Sequence, residues 1–133
     1  MIPANPGGGW DTTGRALGKA MLEAKAADTV QYDNKGGAAG VIGLAQFVNA
    51  SKGDPNALMV MGAVMLGGII TGKPQVSLDR ATPIARLTSE YNVFVVPADS
   101  PLKTMKDVVA QMQKDPGSVK WGGGSRGSTE HIC

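Results

Sequence analysis

Residues 6–27 read PGGGWDTTGRALGKAMLEAKAA, a triple glycine followed by Ala16, Leu17, Ala20, Met21 and Ala24 at helical spacing. The pattern predicts a glycine-rich turn feeding an amphipathic helix over 13–27, with Asp11 or Thr12 as its cap. The same order of strand, glycine turn and helix recurs twice more. Val30-Gln31-Tyr32 leads through Asp33-Asn34-Lys35-Gly36-Gly37 into a helix over 39–50, and Val119-Lys120-Trp121 leads into Gly122–Ser128 and the start of another helix. Strands alternating with helices predict an α/β fold: a mostly parallel sheet with flanking helices. In such sheets ligands gather at the carboxyl ends of the strands, the edge to which all three glycine turns belong.

Between these units the chain keeps the same grammar. Leu58-Met59-Val60-Met61 is apolar throughout, as a strand covered on both faces should be. Gly62 closes it, and a short helix over 63–71 comes next. Ile84–Leu87 and Asn92–Val96 read as further strands, and 104–114 as a helix with a Thr104/Asp107 capping box, stopped by Asp115-Pro116-Gly117. The whole is 133 residues, 42% hydrophobic and 18% charged, which excludes a solvated disordered chain. Thirteen Lys+Arg against 11 Asp+Glu, scattered, exclude the concentrated basic face that nucleic acid requires. A single cysteine, Cys133, rules out an internal disulfide framework or thiolate zinc site. The most apolar window, Leu58–Ile70, is broken by Gly62, Gly67 and Gly68 and is shorter than the ~20 residues a membrane helix needs. No signal peptide is visible at Met1-Ile2-Pro3-Ala4-Asn5.

Nineteen glycines, clustered rather than repeating, place backbone amides in exposed turns. A helix amino terminus offers unpaired N–H groups and the positive end of a dipole, so several converging on one cleft bind an anion with no Arg or Lys required. Glycines also serve simply to make tight turns, and for one loop alone that plainer reading is the better one. Gly122-x-Gly124-x-x-Gly127 matches a dinucleotide fingerprint, but too little chain remains after it for a βαβ unit. Gly123-x-Ser125-x-Gly127 matches a nucleophile elbow, yet the sole histidine, His131, lies six residues on and no acid comes after it. His131 also lacks companions at metal-ligand spacing. Neither metal nor cofactor is therefore expected. Trp10 reads as a pocket wall or as packing, and Asp11 as a selector of ligand charge or as a helix cap.

Three motifs in this order, Pro6-Gly7-Gly8-Gly9-Trp10-Asp11, Asp33–Gly40 and Gly122–His131, resemble those of the substrate-binding receptors of tripartite tricarboxylate transporters, the Bug receptors. Trp-Asp after the triple glycine is most similar to the tricarboxylate-binding branch. The resemblance implies a type II-like periplasmic binding protein, not an enzyme, whose two α/β lobes close on a small carboxylate such as citrate and deliver it to membrane transporter subunits. Carried onto this chain, it implies a ligand site of Gly8, Gly9, Trp10, Asp11 and Thr12 in the first loop and Gly37, Ala38 and Ala39 in the second. Met61 and Gly62 would form the floor, Tyr91 would lie at the crossover, and Gly124, Ser125, Gly127, Ser128 and His131 would come from the other lobe. The implied division is a first lobe over 1–90, then a crossover and the beginning of a second lobe over 91–133. Family members are more than twice as long, so this sequence reads as truncated: periplasmic by resemblance, cytoplasmic if made as written. Uncovered sheet edges in such a piece predict a homodimer or higher oligomer. A non-binding oligomerising fragment and an enzyme acting on an anionic substrate are the alternatives.

Overall fold

The computed structural model describes residues 1–124 and 128–132. The chain forms two compact units, one of residues 1–84 with 124–133 and one of residues 85–123.

The first unit is built around its first few residues. The Ile2 N–H donates to the Asp33 carbonyl at 2.7 Å and the Lys35 N–H donates to the Ile2 carbonyl at 2.9 Å, a parallel bridge between Ile2 and Asn34. On the other side the Met1 ammonium donates to the Leu58 carbonyl at 2.8 Å, and the Val60 N–H donates to the Met1 carbonyl at 3.2 Å. Residues 1–2 therefore sit between 33–35 and 58–60, and all three segments run the same way. Pro3 has no N–H to extend the ladder, and the Ala4 N–H turns back to the Ile2 carbonyl at 2.8 Å. The expected parallel sheet is thus reduced to these bonds: no continuous strand forms among the described residues at 30–32, 58–61, 84–87, 92–96 or 119–121.

Two helices cover this short ladder. Helix α1, Gly9–Glu23, lays Gly14 and Gly18 on it: a β-carbon at Gly14 would fall 2.9 Å from Ile2 Cδ1, and one at Gly18 would meet the Tyr32 ring and Val30. Helix α2, Val41–Ala50, brings Gly43 just as close to Pro3 and to the Lys35 carbonyl. Successive residues of an extended segment face opposite ways, so α1 on Ile2 and α2 on Pro3 lie on opposite faces. Helix α3, Ala63–Gly72, packs on a 3₁₀ turn at Ala38–Gly40 and on α2. Leu44, Val48 and Met65 are buried where α2 and α3 meet, with Trp10, Phe47 and Met59 packed around them. Helix α5, Thr129–Ile132, packs on α3.

Helix boundaries obey local chemistry. Helix α1 begins four residues before the expected 13–27 span because Gly8 is extended (φ −78°, ψ 174°) and serves as its cap, leaving Asp11 in the first turn. It stops at Glu23 because Lys25 takes a left-handed conformation (φ 54°): the Lys25 N–H donates to Leu22 and the Ala26 N–H to Met21, a Schellman ending.

In the second unit, helix α4 spans Met105–Lys114 and carries the expected capping box. The Asp107 N–H donates to Thr104 Oγ1 at 3.3 Å, and Asp107 Oδ2 accepts from the Thr104 N–H at 2.8 Å. The Asp107 carboxyl is held below the ordinary range by these bonds, that from the Lys103 N–H first. Segments 93–97 and 118–122 enclose a groove of about 520 Å³ beside α4, with Phe94 and Trp121 edge to face at 5.7 Å.

Because Gly14 lies against Ile2 at the centre of the ladder, Gly14→Val should destabilise the protein by about 1–3 kcal/mol through overpacking, read as a lower urea midpoint.

Candidate functional site

The starts of α1, α2 and α3 meet at one side chain. Trp10, on the first turn of α1, packs between Gly40 and Gly62: a β-carbon on Gly40 would fall 2.7 Å from Trp10 Cζ3, and one on Gly62 would fall 2.8 Å from Trp10 Nε1. Any residue larger than glycine at either position would displace the indole. Gly8 caps α1, Gly37 precedes the 3₁₀ turn into α2, and Gly62 caps α3, so three helical starts surround the Trp10 contact. Some amides at these starts are already engaged: the Gly8 N–H donates to the Asn5 carbonyl at 3.4 Å, the Gly40 N–H to the Gly37 carbonyl at 2.9 Å and the Met65 N–H to the Gly62 carbonyl at 3.0 Å. A helix start otherwise offers N–H groups that no carbonyl one turn back can take, the kind of donor an anion uses.

The second turn is strained. Gly37 (φ 119°), Ala38 (φ 48°), Ala39 (φ 55°) and Gly40 (φ 90°) are consecutive residues at positive φ. Alanine costs roughly 1–2 kcal/mol in this region. Backbone in a left-handed turn points successive N–H groups into one concavity, a shape that receives anions. Gly68 of α3 approaches so closely that a β-carbon there would fall 2.7 Å from the Ala39 methyl, which buttresses the turn from behind.

The first turn is fixed by a buried charge. Asp11 is 4% exposed. Its Oδ2 accepts from the Gly7 N–H at 2.9 Å and from Arg15 Nε at 3.0 Å, and its Oδ1 accepts from Asn34 Nδ2 at 2.9 Å. The Arg15 bond above all, then those from Gly7 and Asn34, hold the Asp11 carboxyl well below the usual carboxylate range, against the effect of burial. A carboxylate so engaged is a weak base. Asn34 also donates to the Ala4 carbonyl at 3.1 Å, tying the approach to the glycines to the neighbouring segment. Neither Arg15 nor Asn34 is among the site residues that the sequence singles out. The signal for Arg15 is the spacing Asp11-x-x-x-Arg15, which on a helix puts opposite charges side by side.

The structure thus brings Gly8, Gly9, Trp10, Asp11, Thr12, Gly37, Ala38, Ala39, Met61 and Gly62 into one unit, with Trp10 joining the turns. Thr12 Oγ1 is engaged with the Gly8 carbonyl at 3.2 Å. Met61 is 37% exposed at the end of its segment. Gly124, Ser128 and His131 belong to the same unit. Ser128 is buried, its hydroxyl has no hydrogen-bond partner among the described residues, and the His131 N–H donates to the Ser128 carbonyl at 3.1 Å. Tyr91 belongs to the second unit, with its side chain 91% exposed. Ser125 and Gly127 lie outside the described residues. Among the described residues no three His, Cys, Asp or Glu side chains are placed to hold a metal ion, and no helix is long and apolar enough to cross a membrane.

Helices laid on a short parallel ladder, with their starts gathered at one edge, are the arrangement of an α/β lobe. Comparison with known proteins agrees: residues 15–133 match the model of the tripartite tricarboxylate transporter family receptor, and the chain belongs to that family. It is 25% identical over its full length to a UPF0065 protein from the tcbD-tcbE intergenic region of Pseudomonas sp. (strain P51), and covers 40% of that protein. It is 26% identical to a UPF0065 protein from the TAR-I ttuE-ttuC' intergenic region of Agrobacterium vitis, and covers 38% of it. The chain therefore spans about two fifths of the length of these relatives. No solved structure matches it. Membership carries the α/β periplasmic-binding-protein type of fold, of which the short ladder and its covering helices are the part formed here.

Two outcomes test this geometry. Asp11 has its carboxyl depressed in the folded state, so it contributes stability above the ordinary carboxylate pKa that is lost as pH falls towards the depressed value. Asp11→Asn should therefore lower the urea midpoint at pH 7 and flatten its decline below pH 4, in a pH series of unfolding curves. Ala38→Gly, which relieves a positive φ at an exposed position, should leave stability unchanged or raise it by up to about 1 kcal/mol, where an ordinary helical Ala→Gly costs about 1 kcal/mol.

Proposed function

We propose that the chain is the ligand-binding part of a receptor for small organic carboxylates, such as citrate or another di- or tricarboxylate. The observation that carries this reading is the packing of Trp10 against both Gly40 and Gly62, which gathers the starts of α1, α2 and α3 together. The ligand carboxylate is held by the amides of Gly9 and Trp10, beside Gly8, in the first turn and of Gly37, Ala38 and Ala39 in the second. Met61 and Gly62 lie beneath it. Residues 1–90 are the first lobe, and 91–133 are the crossover, with Tyr91, and the beginning of the second. The packing of α5 on α3 is then how Gly124, Ser128 and His131 reach the first lobe. In the longer proteins of the family this receptor works in the periplasm and hands its ligand to membrane subunits.

Calorimetry with citrate, succinate and a monocarboxylate control tests the reading, and saturable heat with the di- or tricarboxylates is the expected result. Gly8 is the informative position, because its extended backbone suits any residue and a β-carbon there would sit 3.5 Å from the Asn5 carbonyl, an ordinary contact. Gly8→Val should fold normally by circular dichroism yet lose at least about tenfold in affinity, since its branches screen the neighbouring amides. Wild-type affinity in that variant would remove the first turn from the site.

A second reading concerns assembly. Val93 and Val95 are 80% and 84% exposed in an extended, uncharged stretch whose backbone bonds to no other described residue. Such an edge pairs readily with a second copy, giving a homodimer. Sedimentation at micromolar concentration should show a dimer that Val95→Lys returns to monomer.

A further inference from the structure

The Asp11 carboxylate presents an electrostatic problem for a site meant to receive anions. It lies in the first turn of α1, three residues from the Gly8 cap, and at neutral pH it carries a full negative charge next to the amides that would hold a ligand. Left alone it would repel a carboxylate and attract an ammonium group. Arg15 offsets that charge. Its Nε bonds Asp11 Oδ2 at 3.0 Å, its Nη2 approaches Asn34 Oδ1 at 3.4 Å, and Asn34 Nδ2 closes the ring on Asp11 Oδ1 at 2.9 Å. The guanidinium is itself held over the Tyr32 ring at 4.9 Å, and the Tyr32 hydroxyl donates to the Arg15 carbonyl at 3.4 Å. The cation is thus fixed beside Asp11 by three partners, while the Gly7 N–H shares the same carboxylate oxygen.

We infer that Arg15 is a specificity-determining residue: by pairing with Asp11 it makes the first glycine turn electrically neutral, so that the site prefers a carboxylate ligand over its amine-bearing counterpart. The inference rests on the proposed carboxylate site and adds the charge selection within it. Arg15 touches no ligand in this scheme. It acts through Asp11.

Succinate and aspartate are suitable probes because they share a carbon skeleton and two carboxylates and differ by one ammonium group. Calorimetry at low ionic strength with both gives a preference ratio for each variant. In Arg15→Gln the unpaired Asp11 should weaken succinate about fivefold or more and shift the ratio towards aspartate about tenfold, the scale of one charge acting over a helical turn near a protein surface. The shift should shrink in 0.5 M salt, where the screening length approaches ~3–5 Å. The double variant Asp11→Asn with Arg15→Gln removes both charges and should return the ratio to within about threefold of wild type, even though both variants lose hydrogen bonds. Arg15→Lys keeps the charge without the planar fork and should keep the ratio while losing stability.

A purely structural role for Arg15 predicts the reverse pattern: the double variant as impaired as the single, and no change in preference. That result, in variants shown to be folded by near-ultraviolet circular dichroism, overturns the inference while leaving the carboxylate site standing. If the wild-type protein binds neither succinate, aspartate nor citrate at millimolar concentration, the site itself is wrong and the inference falls with it.

Discussion

Met1 and Ile2 hold segments 33–35 and 58–60 on either side through four backbone hydrogen bonds, and this parallel register governs the unit. Because all three segments run in one direction, the chain leaves each of them at the same edge. Each exit leads through a turn into a helix: 5–8 into α1, 36–40 into α2, and 61–62 into α3. Three helical starts therefore share one edge as a consequence of strand direction alone. Gly14 and Gly43 complete the constraint, since only residues without side chains let α1 and α2 settle so close to the segment they cover.

Within that frame, the turns are held by two unlike devices. The first is polar and buried: Asp11 accepts hydrogen bonds from Gly7, Arg15 and Asn34, and a buried carboxylate with that many donors is stable where a lone one would not be. The second is apolar: Trp10 spans from Gly40 to Gly62 and joins the buried cluster of Leu44, Val48 and Met65. Adjacent residues on α1 thus face different tasks. Asp11 shapes its own turn, and Trp10 fixes the spacing between turns.

Much of this was legible in the sequence because glycine and proline act locally. The glycine turns, the Thr104/Asp107 box and the helices at 41–50, 63–72 and 105–114 arise from short-range rules and lie where spacing put them. The strands did not form as expected, because a strand is completed by its neighbour. Leu58–Met61 has the apolar pattern of a buried strand, yet Pro3 has no N–H with which to carry the ladder past Ile2. The start of α1 was misplaced for a related reason: Asp11 reads as a cap from its identity, whereas the extended backbone of Gly8 takes that role and sends Asp11 inward. The Asp11–Arg15 pair has a local signal in its helical spacing, whereas the Asn34 bond to Asp11 reaches across 23 residues, which no local pattern reports.

The strained second turn shows why the two devices must act together. Ala38 and Ala39 sit at φ 48° and 55°, where glycine would be relaxed, and nothing in their own side chains favours that conformation. Strain of this kind persists only if the surroundings allow no cheaper alternative. Here Gly40 is pinned beneath Trp10, the Ala39 methyl is pressed against Gly68, and the Asp33–Lys35 segment is locked in register with Ile2. The residues between those fixed points have one path available, and the Gly40 N–H closes it on the Gly37 carbonyl at 2.9 Å. A turn held in this way is ordered before anything binds to it, so association need not supply the ordering that a relaxed loop would require.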